Sequence, residues 1–161
     1  KGRQIYLKKI VGISHNYPSK VHYNYGEVSI TFLAADPFWY SKTEQEKNQA
    51  ITSSPKLFDF VIGGKMETWP IITIENNADN FSFVLMNKTD SDRYSTVDDA
   101  GAGSGTTIVI DTKAGTVKRG ATNIISAFSG LFLRLLGGRT NEFSYIGANC
   151  DIKMEYFEAW I

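Results

Sequence analysis

Asp151-Ile152-Lys153-Met154-Glu155-Tyr156 is the stretch on which the fold turns. Ile152, Met154 and Tyr156 fall on one side of an extended chain and Lys153 and Glu155 on the other. That period of two belongs to a strand with one buried face.

The same rhythm recurs upstream. Phe81, Phe83 and Leu85 share a face of the segment from Phe81 to Met86, and Val28, Ile30 and Phe32 share one between Glu27 and Leu33. Thr107-Ile108-Val109-Ile110-Asp111 and Gly115-Thr116-Val117-Lys118 flank Thr112-Lys113-Ala114, a hairpin pattern in which Gly115 is free to take a positive φ. Gly63-Gly64 and Asn76 to Asn80 supply turns. Trp69-Pro70 leads into the strand Ile71-Ile72-Thr73-Ile74, and two further strands are expected at Leu131–Leu135 and Glu142–Ile146. Short strands separated by turn residues predict an all-β fold, a two-sheet antiparallel β-sandwich. The aromatic content of 13% and the lack of a long amphipathic helix agree with it.

The first forty residues read differently. Gln4 to Val11 and Glu27 to Leu33 are expected to pair as a hairpin around the turn Asn16-Tyr17-Pro18-Ser19-Lys20, and a lone hairpin is marginal in water. With no Met at Lys1, the chain reads as a piece of a longer protein whose sheet lies elsewhere. Pro37 ends this part, and the polar span 41–57, in which Thr43 and Glu46 have capping-box spacing, is expected to be an ordered linker or a short helix. The sandwich is then expected over 58–161.

Charge and composition exclude several functions. Seventeen basic and seventeen acidic residues leave no net field toward nucleic acid or an anionic membrane, and the apolar runs are too short to span a bilayer. Cys150 alone makes neither an internal disulfide nor a metal cluster. His15 and His22 flank a turn without a third ligand or a nucleophile nearby, and the Gly101–Gly105 run lacks the lysine of a phosphate-binding loop. Asp90, Asp92, Asp98 and Asp99 form an acidic group without the spacing of a calcium loop. Glu27, Glu67, Glu75 and Glu142 single out no catalytic pair. No catalytic residue, metal or cofactor is expected. The sequons at Asn80 and Asn87 are read as chance matches.

Four strings, in order, carry a family resemblance. They are Phe32-Leu33-Ala34-Ala35-Asp36-Pro37-Phe38-Trp39-Tyr40, Thr68-Trp69-Pro70-Ile71-Ile72-Thr73-Ile74, Ile108-Val109-Ile110-Asp111-Thr112 with Val117, and Leu136-Gly137-Gly138-Arg139-Thr140-Asn141. Together they resemble the distal tail protein family of long-tailed phages, with Gly137 where that family usually has proline. The resemblance implies that residues 1–40 are the last strands of an N-terminal ring-forming domain. It implies that the sandwich is a galectin-like or carbohydrate-binding-module-like jelly roll hung outside a hexameric ring. It further implies a non-enzymatic structural component of the virion tail, made in the cytoplasm of a bacterial host. Its partners would be other copies of itself, the tail tube, and tail-associated and receptor-binding proteins. Tyr6, Phe38, Trp39 and Tyr40 are the expected interface residues. The alternative is a carbohydrate-binding module for a cell-wall or surface polysaccharide, with Tyr23, Tyr25 and Trp69 as stacking residues.

Overall fold

The structure is a computed structural model that describes residues 3–4, 7–16, 27–34, 38–79 and 81–161. Its strands, in chain order, are β1 (Arg3–Gln4), β2 (Leu7–Asn16), β3 (Glu27–Ala34), β4 (Trp39–Ser41), β5 (Gln45–Ile51) and β6 (Lys56–Ile62). Then follow β7 (Ile71–Asn76), β8 (Phe81–Asn87), β9 (Arg93–Asp99), β10 (Thr107–Asp111) and β11 (Thr116–Arg119). The last are β12 (Thr122–Asn123), β13 (Phe128–Gly130), β14 (Arg139–Gly147), β15 (Cys150–Tyr156) and β16 (Ala159–Trp160). A 3-10 turn at Ile125–Ala127 is the one helical element among the described residues.

Two antiparallel sheets carry the core, as the alternation predicts. One runs β12-β11-β10-β7-β15-β5 and the other β13-β9-β8-β14-β6. The first sends mainly aliphatic side chains inward, among them Ile72, Ile74, Ile108, Ile110, Ile152 and Met154. The second answers with aromatics: Phe58 stacks on Phe143 with centroids 5.3 Å apart, and Phe83 on Tyr145 at 5.9 Å. Burying rings of this size supplies much of the hydrophobic stabilisation, and offset contacts add a smaller directional term. β10 and β11 pair as the expected hairpin, with Gly115 at φ 67°. Gly64 has φ 82° and lies so close to β16 that a Cβ there would come 2.6 Å from the Ala159 carbonyl oxygen. Only glycine combines that φ with that approach.

The span 41–57 corrects the expected linker. It contains no helix; β5 fills most of it and pairs with β15 along its whole length, from Gln45↔Tyr156 to Ile51↔Cys150. An isolated helix this short is marginal in water, whereas β15 would otherwise expose a row of unpaired backbone groups. The polar composition of β5 suits the edge of a sheet, where charge discourages pairing with foreign strands. The sandwich therefore begins before Phe58. β4 also belongs beside it, because Tyr40↔Ala159 and Trp39↔Trp160 pair with the C-terminal strand, while β1 pairs with the other edge of β4. Trp160 thus sits in a small sheet at one end of the sandwich.

A second correction concerns Leu131–Leu135. Leu133 and Leu135 are buried and Leu131 is exposed, as in a strand, but the only sheet partner among the described residues is a single bridge from Leu135 to Thr68. Side chains satisfy much of the remaining backbone: Ser95 Oγ donates to the Leu131 carbonyl, Arg93 Nε to Phe132 and Asn87 Nδ2 to Arg134. The glycine-rich run Gly101–Gly105 is likewise tied down. Ala102 is buried, and Asn76 Nδ2 donates to the carbonyls of Ala102 and Gly103.

β2 and β3 form their own two-stranded sheet, with register shifts at Leu7/Lys9 and Ile10/Gly12. Ile13 and Ile30 pair across it and are 62% and 47% exposed.

Candidate functional site

At the end of the six-stranded sheet lies a cleft of about 420 Å³. Its walls come from four separate parts of the chain. Tyr40 (β4) and Glu44 form one side, and Glu67, Thr68 and Trp69 enter from the segment before β7. Ile71, Asp111 and Glu155 form the floor, and Lys113 with Ala114 reach in from the β10–β11 turn. Tyr156 and Phe157 close the remaining side.

Most of these groups are held from behind. The Arg134 guanidinium donates from Nη1 to Glu67 Oε2 at 2.6 Å, while its Nε and Nη2 grip the two oxygens of Asp90 at 2.7 and 2.9 Å. Arg93 lies over the Trp69 ring, 5.5 Å from its centroid, and is itself anchored on the Phe132 carbonyl. Lys113 stands over the Tyr40 ring at 5.7 Å. Asp111 Oδ1 accepts the backbone N–H groups of Lys113 and Ala114 at 3.1 and 2.8 Å, which fixes the turn that carries the ammonium. Glu155 is paired with Lys153 at 3.0 Å. Fixed groups of this kind lose little freedom when a ligand arrives.

The perturbed ionisations follow from the same contacts. The hydrogen bond from Arg134 holds the Asp90 carboxyl below the ordinary value, against the opposing effect of its burial. The bond that the Lys153 ammonium donates to Glu155 raises its pKa. Burial, with the Glu158 carboxylate as a second cause, pushes the Tyr156 phenol up to about 12.

Of the residues singled out in the sequence, the structure brings Trp69 and Tyr40 into the cleft, although Tyr40 was expected at an oligomer interface. Phe38 is half-buried and Trp39 is 42% exposed. Tyr6, Tyr23, Tyr25 and His22 lie outside the described residues; His15 lies on β2, opposite Val28. The acidic group is divided: Asp90 goes to Arg134, and Asp99 accepts Arg119 Nη1 with both oxygens at 2.8 and 2.9 Å. Among the described residues, no three His, Cys, Asp or Glu side chains are grouped to hold a metal ion. Asn87 of the second sequon is buried and bonded to Asn141 and to the Arg134 carbonyl, so its amide is inaccessible in the fold. Sequence reasoning missed Lys113, Glu155 and Phe157 as cleft residues. The one signal pointing to the place was the exposed-aromatic candidate Trp69.

No curated protein matches the chain. Among solved structures, the crystal structure of SPP1 Dit, "a Paradigm of Hub Adsorption Apparatus in Gram-positive Infecting Phages", matches with a TM-score of 0.77 and 12% identity. The alignment covers 99% of this chain and 61% of that one, so the chain spans about three fifths of the length of its structural relative. At this identity the likeness establishes the fold. Residues 63–160, well over half of the chain, match the family described as "Siphovirus-type tail component, C-terminal domain". The chain therefore belongs to the siphovirus-type tail component family and is a phage tail protein, with that family's C-terminal domain over residues 63–160.

Proposed function

We propose that the protein is a structural part of the distal tail hub, joining the tail tube to the adsorption apparatus and its receptor-binding proteins. In this reading the β2–β3 hairpin is the end of a ring-forming domain and the sandwich, from β4 onward, is the outer domain of a hexamer. The observation that carries it is the reach of the fold likeness, which extends beyond the sandwich to 99% of the chain. The exposed pair Ile13 and Ile30 supports it, since a hairpin of this size gains stability by packing its apolar side chains on a neighbour. A closed ring needs two different patches on each copy, one meeting the other on the next subunit.

The test uses the full-length protein. Light scattering at micromolar concentration should give the mass of a hexamer, and negative-stain electron microscopy should show rings. Ile13→Lys with Ile30→Lys should shift the protein to smaller species without unfolding the sandwich. A wild-type protein that stays monomeric and forms no ring would remove this reading.

A further inference from the structure

We propose that β6 is a docking edge, to which an extended strand of a partner protein with the pattern apolar-x-cation-x-apolar adds as a new member of the five-stranded sheet. β6 ends that sheet and, among the described residues, pairs only with β14. The direction of its backbone groups follows from the neighbouring strand. Glu142 of β14 donates its N–H to Thr89 Oγ1 and accepts the Lys88 N–H on its carbonyl, so both groups turn toward the β8 side. Glu142 stands opposite Asp59, and that pair therefore exchanges no backbone bonds; the N–H and C=O of Asp59 point away from the sheet. Leu57 and Val61, two residues to either side, repeat this direction. An N–H and a C=O from each of the three form a template that only another peptide backbone matches in spacing.

The other edges of the two sheets are blunted. β12 and β13 span two and three residues, and β5 presents Gln45-Glu46-Lys47-Asn48-Gln49, a polar run that discourages stray strands. β6 is seven residues long and leaves Leu57 and Val61 each 65% exposed. Its inward side chains are also short of cover: Phe58 and Phe60, each 9% exposed, are the most exposed residues of the core, and a strand laid alongside would shield both. Charge selects the occupant. Asp59 faces Glu142, like against like, and Lys88 lies beyond Glu142 in the same hollow. The open side of Asp59 therefore favours a cation, and apolar residues two places to either side of it meet Leu57 and Val61. The same carboxylate disfavours a second copy of β6, because the antiparallel register that sets Leu57 of one copy against Val61 of the other also sets Asp59 against Asp59.

Fluorescence anisotropy with the full-length protein and a labelled peptide of sequence Thr-Ile-Thr-Lys-Thr-Ile-Thr tests this. Saturable binding is expected, weakened roughly tenfold by Asp59→Lys and regained by that variant when the lysine of the peptide is replaced by glutamate. N-methylation of the two isoleucines and the lysine, whose amides would face β6, should abolish binding; N-methylation of the two inner threonines should leave it unchanged. Asp59 is exposed, so its replacement spares the core, and a melting curve verifies the fold of the variant. Light scattering should give the same mass for wild type and Asp59→Lys, and any ring should persist in both, which separates this result from the hub reading. No rise in anisotropy at roughly 100 µM protein, or binding indifferent to the charge reversal, would overturn the proposal. So would equal loss from both methylation patterns, or a mass that falls with Asp59→Lys, the sign of an edge held by a second copy.

Discussion

Replacing Arg134 by alanine isolates the group that ties the cleft to the core. Arg134 holds Asp90 through two parallel bonds and Glu67 through one. The two carboxylates are not equivalent: Asp90 is 7% exposed and Glu67 39%. A buried hydrogen bond to a charged group contributes about 1.5–3 kcal/mol net. The guanidinium itself is 31% exposed, so screening brings the whole Asp90 arm to about 2–3 kcal/mol. The Glu67 arm, nearer to solvent, adds roughly 0–1 kcal/mol. A total near 3 kcal/mol lowers the melting temperature by roughly 6–12 °C for a chain of this length.

Thermal unfolding followed by circular dichroism at neutral pH measures that loss, and two further measurements identify its cause. The folded Asp90 carboxyl lies below its ordinary value of 3.8 because of Arg134, so its contribution is fully present above that value and fades as the pH falls through and below it. The gap between wild type and Arg134→Ala should therefore narrow toward the acid end. Asp90→Asn in the Arg134→Ala background should recover about 1 kcal/mol, because an unpaired buried amide is less costly than an unpaired carboxylate. A variant that melts like wild type, or a deficit untouched by both the pH and the second substitution, would refute the reasoning.

Asn141 is fully buried, accepts the Leu136 N–H and the Asn87 amide at 2.9 and 3.0 Å, and donates to the Leu136 carbonyl at 2.9 Å. Asn141→Ala is expected to cost about 2–4 kcal/mol in urea unfolding through the partners it leaves unsatisfied, and a change under ~0.5 kcal/mol would mean that water replaces it. At alkaline pH the buried phenols should govern stability. Tyr156 is raised to about 12 and Tyr145 further, both chiefly by burial, so their contribution is complete below the ordinary value of 10.0 and is lost as the pH rises above it. Absorbance titration should show these two ionising only as the protein unfolds. Cys150, with its thiol pushed up to about 11, should stay unreactive toward thiol reagents at neutral pH until denaturant is added.

The parts of the fold legible in the sequence are those whose signal is local. In β15 and β8 the alternation of residues is itself the alternation of burial, and Gly115 marks its own hairpin. β5 was illegible because its reason for being a strand lies about a hundred residues away, in the open edge of β15, while its own residues carry only a weak capping signal. Leu131–Leu135 failed in the opposite sense: the alternation is real and does bury Leu133 and Leu135, but alternation reports a face and not a hydrogen-bonding partner. The same limit governs the site. Asp90 and Asp99 looked like one acidic cluster because they are neighbours in sequence, yet each carboxylate answers a different arginine, 44 and 20 residues on. Trp69 could be picked out by its chemistry. That Tyr40 would face the same cleft, with Lys113 over its ring, follows only from β4 pairing with β16 and from the turn after β10, and neither contact leaves a mark in the local pattern. Pattern thus reveals which side chains need burial or a partner, and pairing between distant strands decides which of them meet.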